Sequence, residues 1–287
     1  MASDPELPLA TGTVSLGSLD DPLIVDPGPD LLEDVVTAFA ETVPTIAAPD
    51  LDALSTGARS DGTPLAPPPD RPSVAVLAER ESLLAVTDGF HAASRVAGLV
   101  ESGLLSARLL DEPQPNPMLA GRERGTVLVE TDAGRYPVGA DRSARDRYAE
   151  IVDGAEPFRL TTPSRHRLYG GFHARCSPTV ADDVIATLDV DPDPGSDVVD
   201  PRVRAYLVGA RHEVLDHTLR RACEDAGLGS PSTFTEIKRR LVDAGLVDTV
   251  PVSQPVGRPR KRLVACGPLS GTSVPESVAV ARDAFGE

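Results

Sequence analysis

Four basic side chains are concentrated in the eight-residue stretch PVGRPRKR, Pro255 to Arg262. Guanidinium and ammonium groups at this density favour contact with phosphate, and the glycine and prolines between them indicate a turn that presents them. The whole chain has a formal net charge of −16, so a positive cluster stands out. On charge alone, a nucleic-acid contact, a solvated turn, an address tag and a membrane-surface patch are all open.

A second set of polar side chains precedes this stretch, in SPSTFTEIKRRLVDAGLV. Ser230 is a favourable N-cap and Pro231 a favourable first helical residue, so a helix is predicted to begin here. Phe234, Ile237 and Leu241 recur at helical spacing and form an apolar stripe. Polar and basic side chains lie on or beside the other face, where they can reach base edges and phosphates. The alternative is a solvated amphipathic face, and Glu236 could either repel phosphate or accept from a cytosine amino group.

The elements around these residues follow the order of a winged helix-turn-helix. Helices are predicted over 201–213, 214–229 and 230–247, and strands over 246–254 and 262–266 on either side of the basic loop. The candidate DNA-binding residues are Ser230, Ser232, Thr233, Thr235, Glu236, Arg239, Arg240, Gly257, Arg258, Arg260, Lys261 and Arg262.

The distribution of charge supports this prediction. Residues 200–266 hold 12 basic and 8 acidic side chains, a sum of +4, and the remainder of the chain sums to −20. Only Lys238 and Lys261 are lysines among the 28 basic residues. Dense carboxylates with so few lysines are typical of salt-in haloarchaea, although a GC-rich bacterium is an alternative source. In molar salt, phosphate attraction is screened, so direct base contacts and a dimer on two half-sites are expected.

The first part of the chain alternates strands and helices, which predicts an α/β domain with a partly parallel sheet. Strands are predicted over 22–25, 73–78 and 106–110 with a hairpin over 125–140, and helices over 31–42, 81–102, 141–155 and, with breaks, 157–190. The predicted organisation is a loose tail (1–20), an α/β domain (21–188) with a flexible insertion (52–72), a linker (189–199), the winged helix-turn-helix (200–267) and a C-terminal tail (268–287).

The stretch ACEDAGLGSPSTFTEIKRRLVDAGLVDTVPVSQPVGRPRKRL resembles the haloarchaeal TbsP-type transcriptional regulators, which join an α/β domain to a C-terminal winged helix. STFTEIKRRLVDAGLVDT is similar to the family's recognition helix, and VGRPRKRL to its wing. The resemblance implies sequence-specific binding of double-stranded DNA and control of transcription. The extra length at 52–72 and after Cys266 identifies a divergent member.

Motifs for catalysis and cofactors are missing from the sequence. It has no GxGxxG, no GxxxxGK[ST], no GxSxG and no HxK dyad, so an enzyme and a nucleotide cofactor are not expected. His166, His173 and Cys176 have irregular spacing, and the three cysteines form no CxxC pair, so no metal is expected either.

No apolar run is long enough to span a membrane and no signal peptide is visible. We therefore expect a cytoplasmic protein without a membrane partner. The expected function is that of a homodimeric transcription factor whose α/β domain dimerises or senses a small-molecule metabolite. The alternative is an α/β enzyme or ligand-binding protein whose winged helix serves protein contacts.

Overall fold

The structure is a computed structural model that describes residues 4–57, 68, 71–190, 199–255 and 259–285. It divides into two compact units. Unit 1 is formed by described residues within 1–48, 64–88 and 92–160, and unit 2 by those within 49–63, 89–91 and 161–287.

A six-stranded mixed sheet is the centre of unit 1. The strands of this unit are β1 (Glu6–Leu9), β2 (Gly12–Ser15), β3 (Leu23–Val25), β4 (Val74–Ala78), β5 (Leu105–Leu109), β6 (Met118–Ala120), β7 (Gly125–Thr131) and β8 (Gly134–Val138). The sheet has the order β5-β4-β3-β6-β7-β8. Strands β5, β4 and β3 are parallel, and the remaining neighbours are antiparallel. The predicted α/β domain with a partly parallel sheet is therefore confirmed.

Helices cover both faces of this sheet. The helices before residue 160 are α1 (Pro29–Thr42), α2 (Pro44–Ala47), α3 (Leu51–Gly57), α4 (Arg80–Val86), α5 (Phe90–Glu101) and α6 (Ala144–Gly154). Of these, α3 belongs to unit 2. Residues from α1, α4 and α5 share a core with Ile24 and Leu119, while α6 packs on Leu23 and Leu77. Burial on both faces explains why the inner parallel strands β3 and β4 have the continuous apolar sequences LIV and VAVLA.

Several short elements of unit 1 differ from the prediction. The predicted loose tail over 1–20 is wrong, because β1 and β2 form a hairpin, and Leu7 of β1 and Leu16 directly after β2 are fully buried. The helix predicted over 81–102 is two helices, since the chain leaves α4 at Thr87 and Gly89 has a φ of 75°. Strand β6 was not predicted from the sequence.

The predicted flexible insertion over 52–72 is wrong at its beginning. Residues Leu51–Gly57 form α3, whose Leu54 is fully buried in the core of unit 2. Asp50 stabilises the start of this helix, since its carboxylate accepts from the backbone N–H of Ala53 at 2.8 Å. Residues 58–67 and 69–70 lie outside the described residues.

Unit 2 is a helical domain with a hairpin. Its remaining elements are α7 (Arg165–Arg175), α8 (Pro178–Leu188), α9 (Pro201–Arg211), α10 (Asp216–Asp225), α11 (Pro231–Asp243), β9 (Val247–Val252), β10 (Arg260–Ala265) and α12 (Val274–Ala284). Buried side chains from all six helices and from both strands of the hairpin form one core. This order of elements confirms the predicted α/β domain followed by a winged helix-turn-helix.

The core of unit 2 begins before the predicted boundary. The sequence assigns α7 and α8 to the first domain, but Leu168 and Val184 are buried with α9. Helix α7 approaches α10 so closely that a Cβ at Gly171 would lie 2.9 Å from the backbone nitrogen of Ala226. Most of the predicted 189–199 linker, residues 191–198, lies outside the described residues.

The predicted C-terminal tail over 268–287 is also wrong for its described part. Ser273 and Glu276 form a capping box at the start of α12, and Val278 and Ala281 are fully buried. The sequence SVPE, with serine and glutamate three positions apart, is a capping-box signal that can be read from the sequence. Helix α12 is therefore part of the domain core.

Arg204 joins α9 to the chain around the end of α8. Its side chain is buried and donates from Nη1 to the carbonyl oxygens of Thr187 and Val190, the latter at 2.8 Å. Its Nε donates to the carbonyl of Val199 at 2.8 Å. The carbonyls of Thr187 and Val190 lie at the C-terminus of α8, where partial negative charge favours a cation.

We expect Arg204→Met to lower the free energy of unfolding by about 3 kcal/mol, because it leaves buried carbonyl oxygens without donors. Chemical denaturation in buffered salt measures this change. The control is Arg221→Met, whose side chain is 69% exposed in an ion pair with Glu224 and should change stability by less than about 1 kcal/mol. Equal effects of the two substitutions would contradict this role for Arg204.

Candidate nucleic-acid interface

Helices α10 and α11 form the helix-turn-helix. The turn between them needs two glycines with positive φ, Gly227 at 79° and Gly229 at 154°, a region that other residues rarely adopt. Helix α11 is held on α9 by Phe234, whose buried ring stacks on Tyr206 with centroids 6.2 Å apart. Leu241 is also fully buried, so the predicted apolar stripe faces the core.

The opposite face of α11 is exposed. Ser232, Thr235, Glu236, Arg239 and Arg240 are exposed, and Thr233 is half-buried. Glu236 and Arg239 form an ion pair at 3.9 Å with side chains 77% and 73% exposed, which is weak in water. Both side chains can therefore exchange this partner for DNA at little energetic cost.

Three hydroxyl groups cluster at the start of α11. The Oγ atom of Ser230 lies 2.8 Å from Oγ of Ser232 and 3.1 Å from Oγ1 of Thr233. Ser230 occupies the N-cap position, but its side chain makes no capping hydrogen bond to the backbone. Hydroxyl groups can both donate and accept hydrogen bonds. They can therefore pair with base edges, which offer donors and acceptors, and donate to phosphate oxygens.

Arg240 has a different environment from the other candidates on α11. Its guanidinium carbon lies 3.8 Å from the ring centroid of Phe285, at the end of α12. A cation at this distance over an aromatic ring is attracted to its face. The side chain of Arg240 therefore points towards Phe285 and links α11 to the end of α12.

The wing is an antiparallel hairpin of β9 and β10, with Arg260 opposite Val252 and Ala265 opposite Val247. The loop between α9 and α10 pairs with β10 at a single bridge, in which Leu215 lies opposite Arg262 and the N–H of Leu263 donates to the carbonyl of Val214 at 3.0 Å. The sequence did not predict this bridge, since one pair of residues has no periodicity. It fixes the wing to the start of α10.

The basic side chains of the wing have different partners. Arg260 is exposed and its Nη1 lies 2.9 Å from Nε2 of His217 on α10. Arg262 is half-buried and pairs with Glu213 at 3.2 Å. Lys261 is exposed and has no ion-pair partner among the described residues. Gly257 and Arg258 lie outside the described residues.

His217 is a candidate DNA contact that the sequence did not indicate. Its pKa is lowered from the usual histidine value by burial and then by the charge of Arg260, while Asp216 acts in the opposite direction. The neutral ring accepts from Arg260 through Nε2. His217 and Arg260 are 43 positions apart, so only the fold brings them together.

The groups considered for metal binding have other surroundings. His173 stacks on Tyr169, and burial raises the pKa of the half-buried Cys176 to about 11. Among the described residues there is no cluster of three His, Cys, Asp or Glu side chains suited to a metal ion. In the same part of the chain, no helix has the length and apolar character needed to cross a membrane.

Two family models match consecutive parts of the chain. Residues 65–163 match the N-terminal domain described as "Transcriptional regulator TbsP-like, N-terminal". Residues 164–282 match "Transcriptional regulator TbsP-like, C-terminal HTH domain", which covers the helices α7 to α11 and the wing. No curated protein and no solved structure matches the chain.

We expect NMR titration to give His217 a pKa below the usual value of about 6.5. Arg260→Gln should raise that pKa, because it removes the nearby positive charge. Arg262→Gln is the control, since Glu213 already balances the charge of Arg262, and it should have a smaller effect. A His217 pKa that does not change with Arg260→Gln would contradict the observed pairing.

Proposed function

Because the chain belongs to the TbsP-like family of transcriptional regulators, we propose that it binds a specific operator through α11 and the wing. The observation that carries this proposal is the exposed polar face of α11 beside the basic strand β10, within residues 200–266, whose charges sum to +4. In this arrangement α11 enters the major groove and the wing contacts the adjacent backbone.

Each part of the interface has its own role. Ser232, Thr235 and Arg239 read base edges in the groove, and Glu236 accepts from a cytosine amino group. The hydroxyls of Ser230 and Thr233 bind phosphate at the start of α11. Arg258, Arg260, Lys261 and Arg262 bind phosphate or enter the minor groove, while Gly257 shapes the tip. Arg240 contacts the backbone from the side of α11.

The regulator acts as a homodimer on two half-sites in the cytoplasm of a haloarchaeon. The charge of −16 and the two lysines support the halophilic setting. At 1 M salt the Debye length is about 3 Å, so long-range attraction to DNA is small and a doubled footprint compensates. Unit 1 is non-catalytic and either dimerises or senses a metabolite.

The experiment begins with selection of a preferred duplex from a random pool. Fluorescence anisotropy then measures the affinity of the full chain for this duplex and for a scrambled duplex, from 0.2 to 2 M KCl. Binding of the protein to a single half-site at 2 M KCl would contradict the proposed dimer.

We expect Arg239→Ala to weaken binding of the selected duplex by about tenfold or more, with little effect on the scrambled one, because it removes a base contact. Arg260→Ala should weaken both duplexes and reduce the salt slope by about one, because it removes a phosphate contact.

The control for both substitutions is Arg175→Ala, which removes an exposed ion pair on α7 with Asp225. It should leave both affinities unchanged. If neither Arg239→Ala nor Arg260→Ala alters binding, a winged helix that serves protein contacts becomes the better explanation.

A further inference from the structure

One of the two lysines of the chain lies on the inner face of α11. Lys238 follows Phe234 by four residues, so the two side chains share a face. The side chain of Lys238 is only 17% exposed, whereas Lys261 on the wing is exposed. In a chain that otherwise uses arginine for positive charge, a lysine in a helix interface requires an explanation.

The partner of Lys238 is Asp216, the first residue of α10. The Nζ atom of Lys238 donates to Oδ2 of Asp216 at 2.7 Å, and Nη2 of Arg220 donates to the same oxygen at 3.1 Å. The Asp216 side chain is 11% exposed. Among the described residues, this is the only side-chain hydrogen bond between α10 and α11.

The cluster is enclosed in an environment of low polarity. Burial raises the pKa of the Tyr206 hydroxyl, and the nearby Asp216 carboxylate raises it further. Oδ1 of Asp216 and Nε of Arg220 are buried without a hydrogen-bond partner among the described residues. A charge pair in such surroundings is screened much less by salt than the exposed pair of Glu236 and Arg239.

A purely stabilising role is a poor explanation for such a pair. Replacement of a buried ion pair by apolar side chains is often neutral or stabilising, because the desolvation of both charges offsets their attraction. What an ion pair provides is a defined geometry, since the attraction depends on the distance between two particular atoms. Here those atoms belong to the two helices of the helix-turn-helix.

We propose that the Asp216–Lys238 pair is a positioning device that sets the orientation of α11 against α10 and thereby determines which base edges its outer face reaches. The inference rests on the proposed binding of DNA. Lys238 does not touch DNA, but Arg239 follows it directly in the chain. A change in the rotation of α11 about its axis therefore moves the outer face relative to the wing.

The test compares the two lysines of the chain. Lys238→Met and Lys261→Met each remove one ammonium group, and anisotropy measures the affinity of the full chain for a selected and a scrambled duplex. We expect Lys238→Met to weaken binding of the selected duplex by about tenfold and to leave the scrambled duplex within about twofold. Lys261→Met should weaken both duplexes alike, because it removes a phosphate contact.

A second variant separates orientation from stability. The triple substitution Asp216→Leu, Arg220→Met and Lys238→Met replaces the cluster by apolar side chains and should keep the thermal midpoint of unfolding close to that of the unchanged protein. We expect its preference for the selected duplex to remain reduced at both 0.2 and 2 M KCl. A structural role alone would restore the preference together with the stability.

The possible failures are distinguishable. If the unchanged protein shows no preference for any duplex, the proposed function is wrong. If the unchanged protein prefers the selected duplex and both variants at Lys238 keep that preference, the positioning role is overturned. If Lys238→Met lowers the affinity for both duplexes equally, Lys238 acts as a simple charge and the inference is likewise overturned.

Discussion

The stacking of Phe234 on Tyr206 is the contact on which the interface of unit 2 depends. Both rings are fully buried, and Phe234 lies near the start of α11, so the N-terminal half of this helix is fixed on α9. Because the face of α11 that carries Phe234 is buried in the core, the residues on its opposite face are exposed to solvent. The exposed side chains available for recognition are thus a consequence of how the helix is packed.

The charge of the chain imposes a second constraint. The residues outside 200–266 sum to −20 and as a whole disfavour DNA, whereas residues 200–266 sum to +4 and favour it. Within this segment the basic side chains have separate tasks. Arg204 neutralises a helix end in the core, Lys238 joins two helices, and Lys261 remains exposed on the wing. A count of charges from the sequence does not distinguish these tasks.

Elements with a capped start and a clear period were predictable from the sequence. Helix α11 combines Ser230, Pro231 and an apolar stripe, and the hairpin strands flank a loop of glycine and proline. Contacts between distant residues were not predictable: Asp216 and Lys238 are 22 positions apart, and Asp216 already has a local partner in Arg220, four residues on. The two strands of the N-terminal hairpin have four residues each and show no clear period.

The most direct test of the central claim is hydrogen exchange of the full chain, measured by mass spectrometry in 2 M KCl with and without a selected duplex. The account predicts slower exchange in peptides from α11 and from β9–β10 when DNA is bound, because these backbone groups lose access to solvent. Peptides from β3 to β5 should be unchanged. Protection confined to unit 1, with α11 and β10 exchanging as in the absence of DNA, would contradict the account.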